Sequence, residues 1–493
     1  METLLALVAI GGSIVTAQRV VPVGFSRPSP RLPALHRRAG TYSQELNNNL
    51  TSGGYYAQVA VGTPPQAVDL VVDTGSSDVW VLDRHADLCQ SESMQDYYGY
   101  CLSTFDPSAS STFSIVSRDA FSISYVDGSG AEGDYVRDTL SIGGIDIENL
   151  QMGLAENSTI NSGLLGIGFA ANVAAQTPYP NIMTLFRAQD LIAVEVYSLY
   201  LNDRFAETGT ILFGGLDTEK YIGRLGVVPI LPDRTGNYSS FAVVLASLSS
   251  TAADGTVTNY ARGAIPVILD SGTTLTYLPY SVAARVFRAF GAVDDTSGTG
   301  LVYVSCRYLE EAADLTLDFR FGGGAAAADN PVIRVPTDEL VLDNVRAYQA
   351  LGLVLPPLPF ADVCTFGLHP DADYYLLGNT FLRSAYVVYD LTNREVALAQ
   401  ANVNSTRSNV IEITAADGIP DVPGVASQVP ATPTPSAARP DGTATATATA
   451  TADGPGGENA GLRAVPAPDW KAVVAMAAMV GLCALMGVEV VVL

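Results

Sequence analysis

The chain has 493 residues, 48% of them hydrophobic, and a formal net charge of −24. That length and apolar content suit two or three domains around a sizeable core. The first 38 residues hold five Arg and one Glu, a net of +4, so the remainder carries −28, a surface that repels nucleic acid and attracts basic peptides.

The chain opens on an apolar run, residues 4–15, followed by small residues at Val15-Thr16-Ala17. This reads as a secretory signal peptide over 1–17, cleaved after Ala17, although Glu2 stands where a basic start is usual. Residues 18–38 contain the five Arg, four Pro and no acid, and they end in Arg37-Arg38. They read as a propeptide removed after Arg38, its positive charge lying across an acidic cleft; a basic leader with no inhibitory role is the alternative.

From Tyr55 short stretches alternate apolar and polar residues between Gly, Pro, Asn and Asp, as in YYAQVAV (55–61), AFSISYV (120–126) and SAYVVYDL (384–391), and predict strands. Only 180–192 and 280–291 predict helix. One phrase occurs twice: VDLVVDTGSS at 68–77 and IPVILDSGTT at 265–274, with Asp73 and Asp270 lying 197 positions apart. A Leu-Leu-Gly segment follows each copy, SGLLGIGF (162–169) and YYLLGNTF (374–381). A carboxylate on a tight turn with the same downstream partner, twice, predicts a duplicated, mostly β chain of two lobes, 39–225 and 226–410, facing each other.

Residues 411–461 are dominated by Ala, Thr, Pro, Gly and Asp, with a TATATATATAD run. Such composition predicts no packed core, and 411–459 reads as an O-glycosylated stalk. The segment 472–493 is almost wholly apolar and is preceded by Asn459-Ala460-Gly461 and a ten-residue spacer. This is the layout of a GPI-attachment signal over 460–493, with Asn459 as the attachment residue and Gly456 and Gly457 next in order. A C-terminal membrane helix is the competing reading. Sequons begin at Asn49, Asn157, Asn237 and Asn404, which suits a glycosylated secreted surface.

Over roughly 54–403 the chain resembles the pepsin-like aspartic proteases, on Asp73-Thr74-Gly75-Ser76-Ser77, Trp80, Tyr125 with Gly128-Ser129, Asp270-Ser271-Gly272-Thr273-Thr274 and the two Leu-Leu-Gly segments. Its two ends are similar to those of the fungal, surface-anchored, yapsin-type members. The resemblance implies the bilobal fold of that family, with Asp73 and Asp270 as a catalytic pair sharing one proton and activating a water. Gly75 and Gly272 let backbone N–H groups approach the carboxylates, and Ser76 and Thr273 can donate to their outer oxygens. Thr74 and Ser271 can lock the two turns together.

The stretch Tyr125-Val126-Asp127-Gly128-Ser129-Gly130 reads as a hairpin tip. The resemblance makes it the flap, with the Tyr125 hydroxyl paired to Trp80 and with Gly128 and Ser129 bonding the substrate backbone. It gives Asp127 a preference for a basic residue before the cut; the alternative is an ordinary Asp-Gly turn.

Four of the five cysteines allow three connectivities. The resemblance implies Cys89–Cys101 and Cys306–Cys364, one bridge within each half, and leaves Cys483 in the apolar tail. The histidines, His36, His85 and His369, are scattered, and neither H-E-x-x-H nor G-x-S-x-G occurs. The reading therefore includes no metal, no cofactor and no covalent intermediate. It is a monomeric extracellular endopeptidase acting on polypeptides in acid, held to the membrane by a GPI anchor. A catalytically silent peptide-binding or cell-wall glycoprotein and a freely secreted digestive protease are the competing functions.

Overall fold

A computed structural model describes residues 21–24, 54–206, 209–310, 315–322, 330–350, 354–414 and 418–428. The alternating stretches form strands, as in the hairpin Tyr56–Val61 and Gln66–Asp73, which buries Val59, Val61, Val68, Leu70 and Val72 on its inner side. This hairpin begins a seven-stranded sheet in the order Tyr56–Val61, Gln66–Asp73, Gly163–Gly166, Val79–Leu82, Ile145–Ser158, Gly130–Ile142, Ser114–Ser124. The second half builds another seven-stranded sheet, in the order Val332–Pro336, Leu315–Phe321, Ala242–Ala252, Val257–Leu269, Leu376–Leu377, Thr276–Pro279, Leu368–Asp371.

The two copies of the phrase occupy one topological place. Gln66–Asp73 runs parallel to Gly163–Gly166, which pairs antiparallel with Val79–Leu82. Val257–Leu269 runs parallel to Leu376–Leu377, which pairs antiparallel with Thr276–Pro279. The fold is thus mostly β and two-lobed.

A third, six-stranded sheet takes strands from both halves: Val21–Gly24, Thr210–Phe213, Val196–Tyr200, Ala385–Asp390, Glu395–Ala401, Tyr221–Pro229. Aromatic rings pack on it, with Tyr197 stacked on Tyr389 at 4.9 Å and Phe241 edge-on to Tyr389 at 4.6 Å. All three rings are fully buried, and each such ring stabilises the fold by about 2–3 kcal/mol.

Helix forms over Ile182–Ala188, where the Asn181 side chain accepts from the Thr184 N–H, and over Tyr280–Phe290, ended by Gly291 at φ 64°. The first is shorter than the expected 180–192 because Asp190 adopts φ 56°. Two short helices that the sequence reading omits, Asp87–Gln90 and Glu92–Tyr98, fill the loop closed by Cys89–Cys101. Cys306 and Cys364 form the second bridge.

One expectation about the ends of the chain is corrected. The start of the stalk is not at 411. Val410–Glu412 pairs with Gly215–Asp217, Ile413 is buried, and Ile411, Ile419 and Val422 pack against the same cluster. The chain then runs along the edge strand Tyr221–Pro229, with bridges Ile222 to Val425 and Arg224 to Pro423. Ile411, Ile413, Ile419 and Val422 carry this packing, and average composition hides them. In the leader, residues 21–24 add an edge strand beside Thr210–Phe213. Asn49, Asn459, the rest of the leader and the apolar segment 472–493 lie outside the described residues.

The glycines of the Leu-Leu-Gly segments are fixed by close approach. A Cβ on Gly378 would lie 2.3 Å from the Leu275 carbonyl and 2.4 Å from that of Thr273. Gly378→Ala is expected to cost about 3 kcal/mol through backbone displacement. A melting temperature unchanged from wild type would contradict this reading of the turn.

Candidate active site

Each carboxylate sits at the end of a buried strand, where the chain leaves the sheet. Backbone bonds pin the turns from below: the Ile167 N–H donates to the Asp73 carbonyl, and the Asp270 N–H donates to the Leu377 carbonyl. The repeated Leu-Leu-Gly segments therefore support the aspartates directly.

The turns are joined by four reciprocal bonds. The Thr74 N–H donates to Ser271 Oγ at 3.1 Å, and the Ser271 N–H donates to Thr74 Oγ1 at 2.9 Å. Thr74 Oγ1 donates across to the Leu269 carbonyl at 2.9 Å, and Ser271 Oγ to that of Val72 at 2.8 Å. Thr74 is 1% exposed and Ser271 not at all, so these bonds face no competition from water.

The lock brings Asp73 and Asp270 into hydrogen-bonding contact. They are 4% and 8% exposed. The Gly75 N–H donates to Asp73 Oδ1 at 2.8 Å, and the Gly272 N–H to Asp270 Oδ1 at 2.9 Å. Ser76 Oγ donates to Asp73 Oδ2 at 2.5 Å, and Thr273 Oγ1 to Asp270 Oδ2 at 2.6 Å. A Cβ on Gly75 would lie 2.6 Å from an Asp270 oxygen, and one on Gly272 would lie 2.4 Å from Asp73, so no larger residue fits at either position. Thr274 enters through its carbonyl, which accepts from the Thr380 N–H.

Burial raises the Asp73 carboxyl well above the aspartate range, and the Asp270 charge raises it further, against the pull of Ser76 and Gly75. Below it lie Tyr197 and Tyr389, whose hydroxyls are pushed upward by burial first, with the aspartates adding to it. A water-poor aromatic floor under two like charges favours holding one proton between them.

Strands Ser114–Ser124 and Gly130–Ile142 form the expected hairpin with its tip at 125–129. The Gly128 N–H donates to the Tyr125 carbonyl at 2.9 Å, with Gly128 at φ 80°. Trp80 Nε1 donates to the Tyr125 hydroxyl at 2.9 Å, as expected. The Ser129 N–H and hydroxyl both donate to Asp127 Oδ1, at 2.9 and 2.6 Å. Asp127 thus builds its own turn, and the Ser129 donors are turned onto it here.

The sequence reading missed Asp78. It is fully buried and accepts from Tyr179 at 2.7 Å, Tyr135 at 3.1 Å and the Ala174 N–H at 2.7 Å. It ties the first turn to the flap strand and to the 173–179 loop. The signal available was an acidic residue inside the apolar run after the phrase. Of the described sequons, Asn157, Asn237 and Asn404 are exposed. Among the described residues, Cys306, Cys364 and Asp343 come together, but the two sulfurs are joined to each other and offer no thiolate.

The raised carboxyls give the fold a pH dependence. Asp73, Asp78, Glu339 and Asp390 are all shifted upward, burial being the first cause in each. A carboxyl with a raised folded-state pKa stabilises the fold fully below its unfolded pKa, and this is lost as pH rises through the raised value. The melting temperature is therefore expected to fall from acid toward neutral pH. Asp270→Asn, which removes the like charge beside Asp73, should recover on the order of 1 kcal/mol at neutral pH. A flat melting profile in the wild type, or no gain in the variant, would contradict this account.

Residues 54–401 match the family described as eukaryotic aspartyl protease. The chain is 39% identical over 402 residues to a probable aspartic-type endopeptidase opsB of Aspergillus oryzae, covering 80% of this chain and 77% of that one. It is 33% identical over 380 residues to secreted aspartic protease 4 of Candida albicans, covering 76% and 82%. The crystal structure of an aspartic proteinase from Irpex lacteus is similar in fold, with a TM-score of 0.56 and 24% identity over 73% of this chain and 98% of that one.

Proposed function

As a member of the eukaryotic aspartyl protease family this chain is an aspartic-type endopeptidase, and we propose that Asp73 and Asp270 are its catalytic pair, working on secreted or surface polypeptides in acid. The observation that carries this reading is the contact of two buried carboxylates, each held by one glycine N–H and one hydroxyl. The ionised member takes a proton from water as the oxygen attacks the peptide carbonyl. The protonated member donates to the carbonyl oxygen, and the proton taken from water passes to the leaving amine. The pair titrates as a unit, so neither role belongs to one residue. Tyr125, held by Trp80, closes over the substrate, and the peptide backbone competes with Asp127 for the Ser129 donors.

We further propose that Asp127 favours a basic residue before the cut. Both of its bonds go to Oδ1, so Oδ2 is open to a Lys or Arg side chain. The negative body and the relatives named as secreted proteases support a secreted enzyme. The small-residue site at Asn459 and the apolar tail support a GPI-anchored form. No helix among the described residues is long and apolar enough to cross a membrane.

Purified, processed protein should cleave peptides between about pH 3 and pH 6, and Asp73→Asn should lower the rate at least about a thousandfold. No cleavage by the wild type would leave the silent, peptide-binding reading in its place. Asp127→Ala should lower kcat/KM about tenfold on peptides with a basic residue at the cut and little on others. An equal loss on both classes would reduce Asp127 to a turn residue. A GPI-specific phospholipase should release the wild type from cells; retention would favour a membrane helix.

A further inference from the structure

The strand Thr276–Pro279 leaves the second active-site turn directly. The strand Leu368–Asp371 lies parallel beside it, with Tyr277 in register with His369. The two rings meet edge to face, with centroids 5.8 Å apart and planes at 67°. His369 is 6% exposed, and its Nε2 has neither solvent contact nor a hydrogen-bond partner. Tyr277 is half-buried, and Asp127 at the flap tip and Asp371 both act on its hydroxyl electrostatically. Tyr277 thus packs on an imidazole whose Nε2 has no hydrogen-bond partner, and its hydroxyl feels the charge of Asp127 at the flap tip.

We propose that His369 is a positioning residue for the substrate cleft: in its neutral form it backs Tyr277 against the flap side, and protonation of its Nε2 in strong acid releases that wall and weakens substrate binding.

A buried imidazolium needs a partner, and the surroundings supply little. On the same strand the nearest acid is Asp371. The strand Thr276–Pro279 offers Tyr277, and Leu301–Ser305 offers Tyr303, whose hydroxyl donates to Thr299. The helix Tyr280–Phe290 buries its apolar face and leaves Arg285 and Arg288 exposed. Asp294 attracts a proton toward His369, but it is itself exposed and accepts from Thr296. Burial outweighs that attraction and pushes the imidazole down to about 4. Below this the strand pair must hold a charge without a partner or loosen so that water reaches it. The affected step is binding, because His369 touches Tyr277 and neither of the two aspartates.

The inference rests on the endopeptidase reading for its kinetics, and its titration can be followed without any activity. KM and kcat are measured from about pH 3 to pH 6 for the processed enzyme and for His369→Phe and His369→Gln. The wild-type KM should rise about tenfold between about pH 5 and pH 3, in step with the protonated fraction. Both variants should lose that rise while kcat follows the wild-type profile. Because His85 and His369 are the two histidines that follow the leader, an NMR titration of His85→Gln reports His369 alone, and its midpoint should match that of the KM rise. Superposable KM profiles in wild type and variants would overturn the proposal. So would an imidazole titrating near the ordinary histidine value.

Discussion

Everything in this protein depends on the Thr74–Ser271 lock. Two carboxylates packed together repel when both are ionised, and burial leaves no water to screen them. The two turns would drift apart if each were held by its own lobe alone. Four reciprocal bonds between fully buried groups prevent that, and each hydroxyl reaches the strand beneath the opposite turn. The glycines beside the aspartates follow from the same constraint, since any Cβ there would strike the facing carboxylate. So do Gly166 and Gly378, whose backbones pass within van der Waals contact of the turns. The shared sheet beneath keeps the halves from rotating, and its stacked Tyr197 and Tyr389 supply the dry floor that makes proton sharing favourable.

The part of this that could be read from the sequence is the part that is written twice. The phrase around Asp73 and Asp270 and the Leu-Leu-Gly partners located the turns, their glycines and their hydroxyls at matching offsets. The single-copy features were harder. The six-stranded sheet draws on strands such as Val196–Tyr200 and Ala385–Asp390, nearly two hundred residues apart, and no local pattern announces that they are neighbours. Asp78 resembles a continuation of the repeated phrase until Tyr135 and Tyr179 are seen to converge on it. The packed stretch beyond 410 was lost in a composition dominated by Ala, Thr, Pro, Gly and Asp, because four apolar side chains decide its fate and averages do not register them. The leader strand 21–24 pairs through its backbone, and a backbone edge leaves little trace in side-chain pattern.

The halves are alike where chemistry demands symmetry and differ around it. Both aspartates accept one glycine N–H and one hydroxyl, at nearly equal distances. Only the first half carries the hairpin with Tyr125 and the buried Asp78 that fixes its base. Among the described residues, the second half alone sets a buried imidazole with no hydrogen-bond partner at Nε2 edge-on to a tyrosine, His369 against Tyr277. Hydrolysis needs the symmetric part. On the reading proposed above, selection among peptides and its dependence on pH fall to the asymmetric surroundings, because those are the groups that differ on the two sides of a bound chain.

The shared sheet also carries segments from outside the duplicated unit on both of its edges. One of its edges is covered by Val21–Gly24 and the other by the segment running to Val425. An uncovered edge strand exposes a row of unpaired backbone donors and acceptors, which another chain can take up. Covering each edge with a segment from outside the duplicated unit protects the sheet. The two covers are not equivalent. The leader strand contributes backbone pairing, with Val21–Gly24 set against Thr210–Phe213. The C-terminal segment adds Ile413 to the core and closes Gly424 over Tyr221, where a Cβ would lie 2.3 Å from the Tyr221 carbonyl. Removing the C-terminal cover therefore opens a buried cluster, whereas removing the leader strand frees an edge. The packed body, on this physical ground, reaches at least to Val425, beyond the last strand of the duplicated unit.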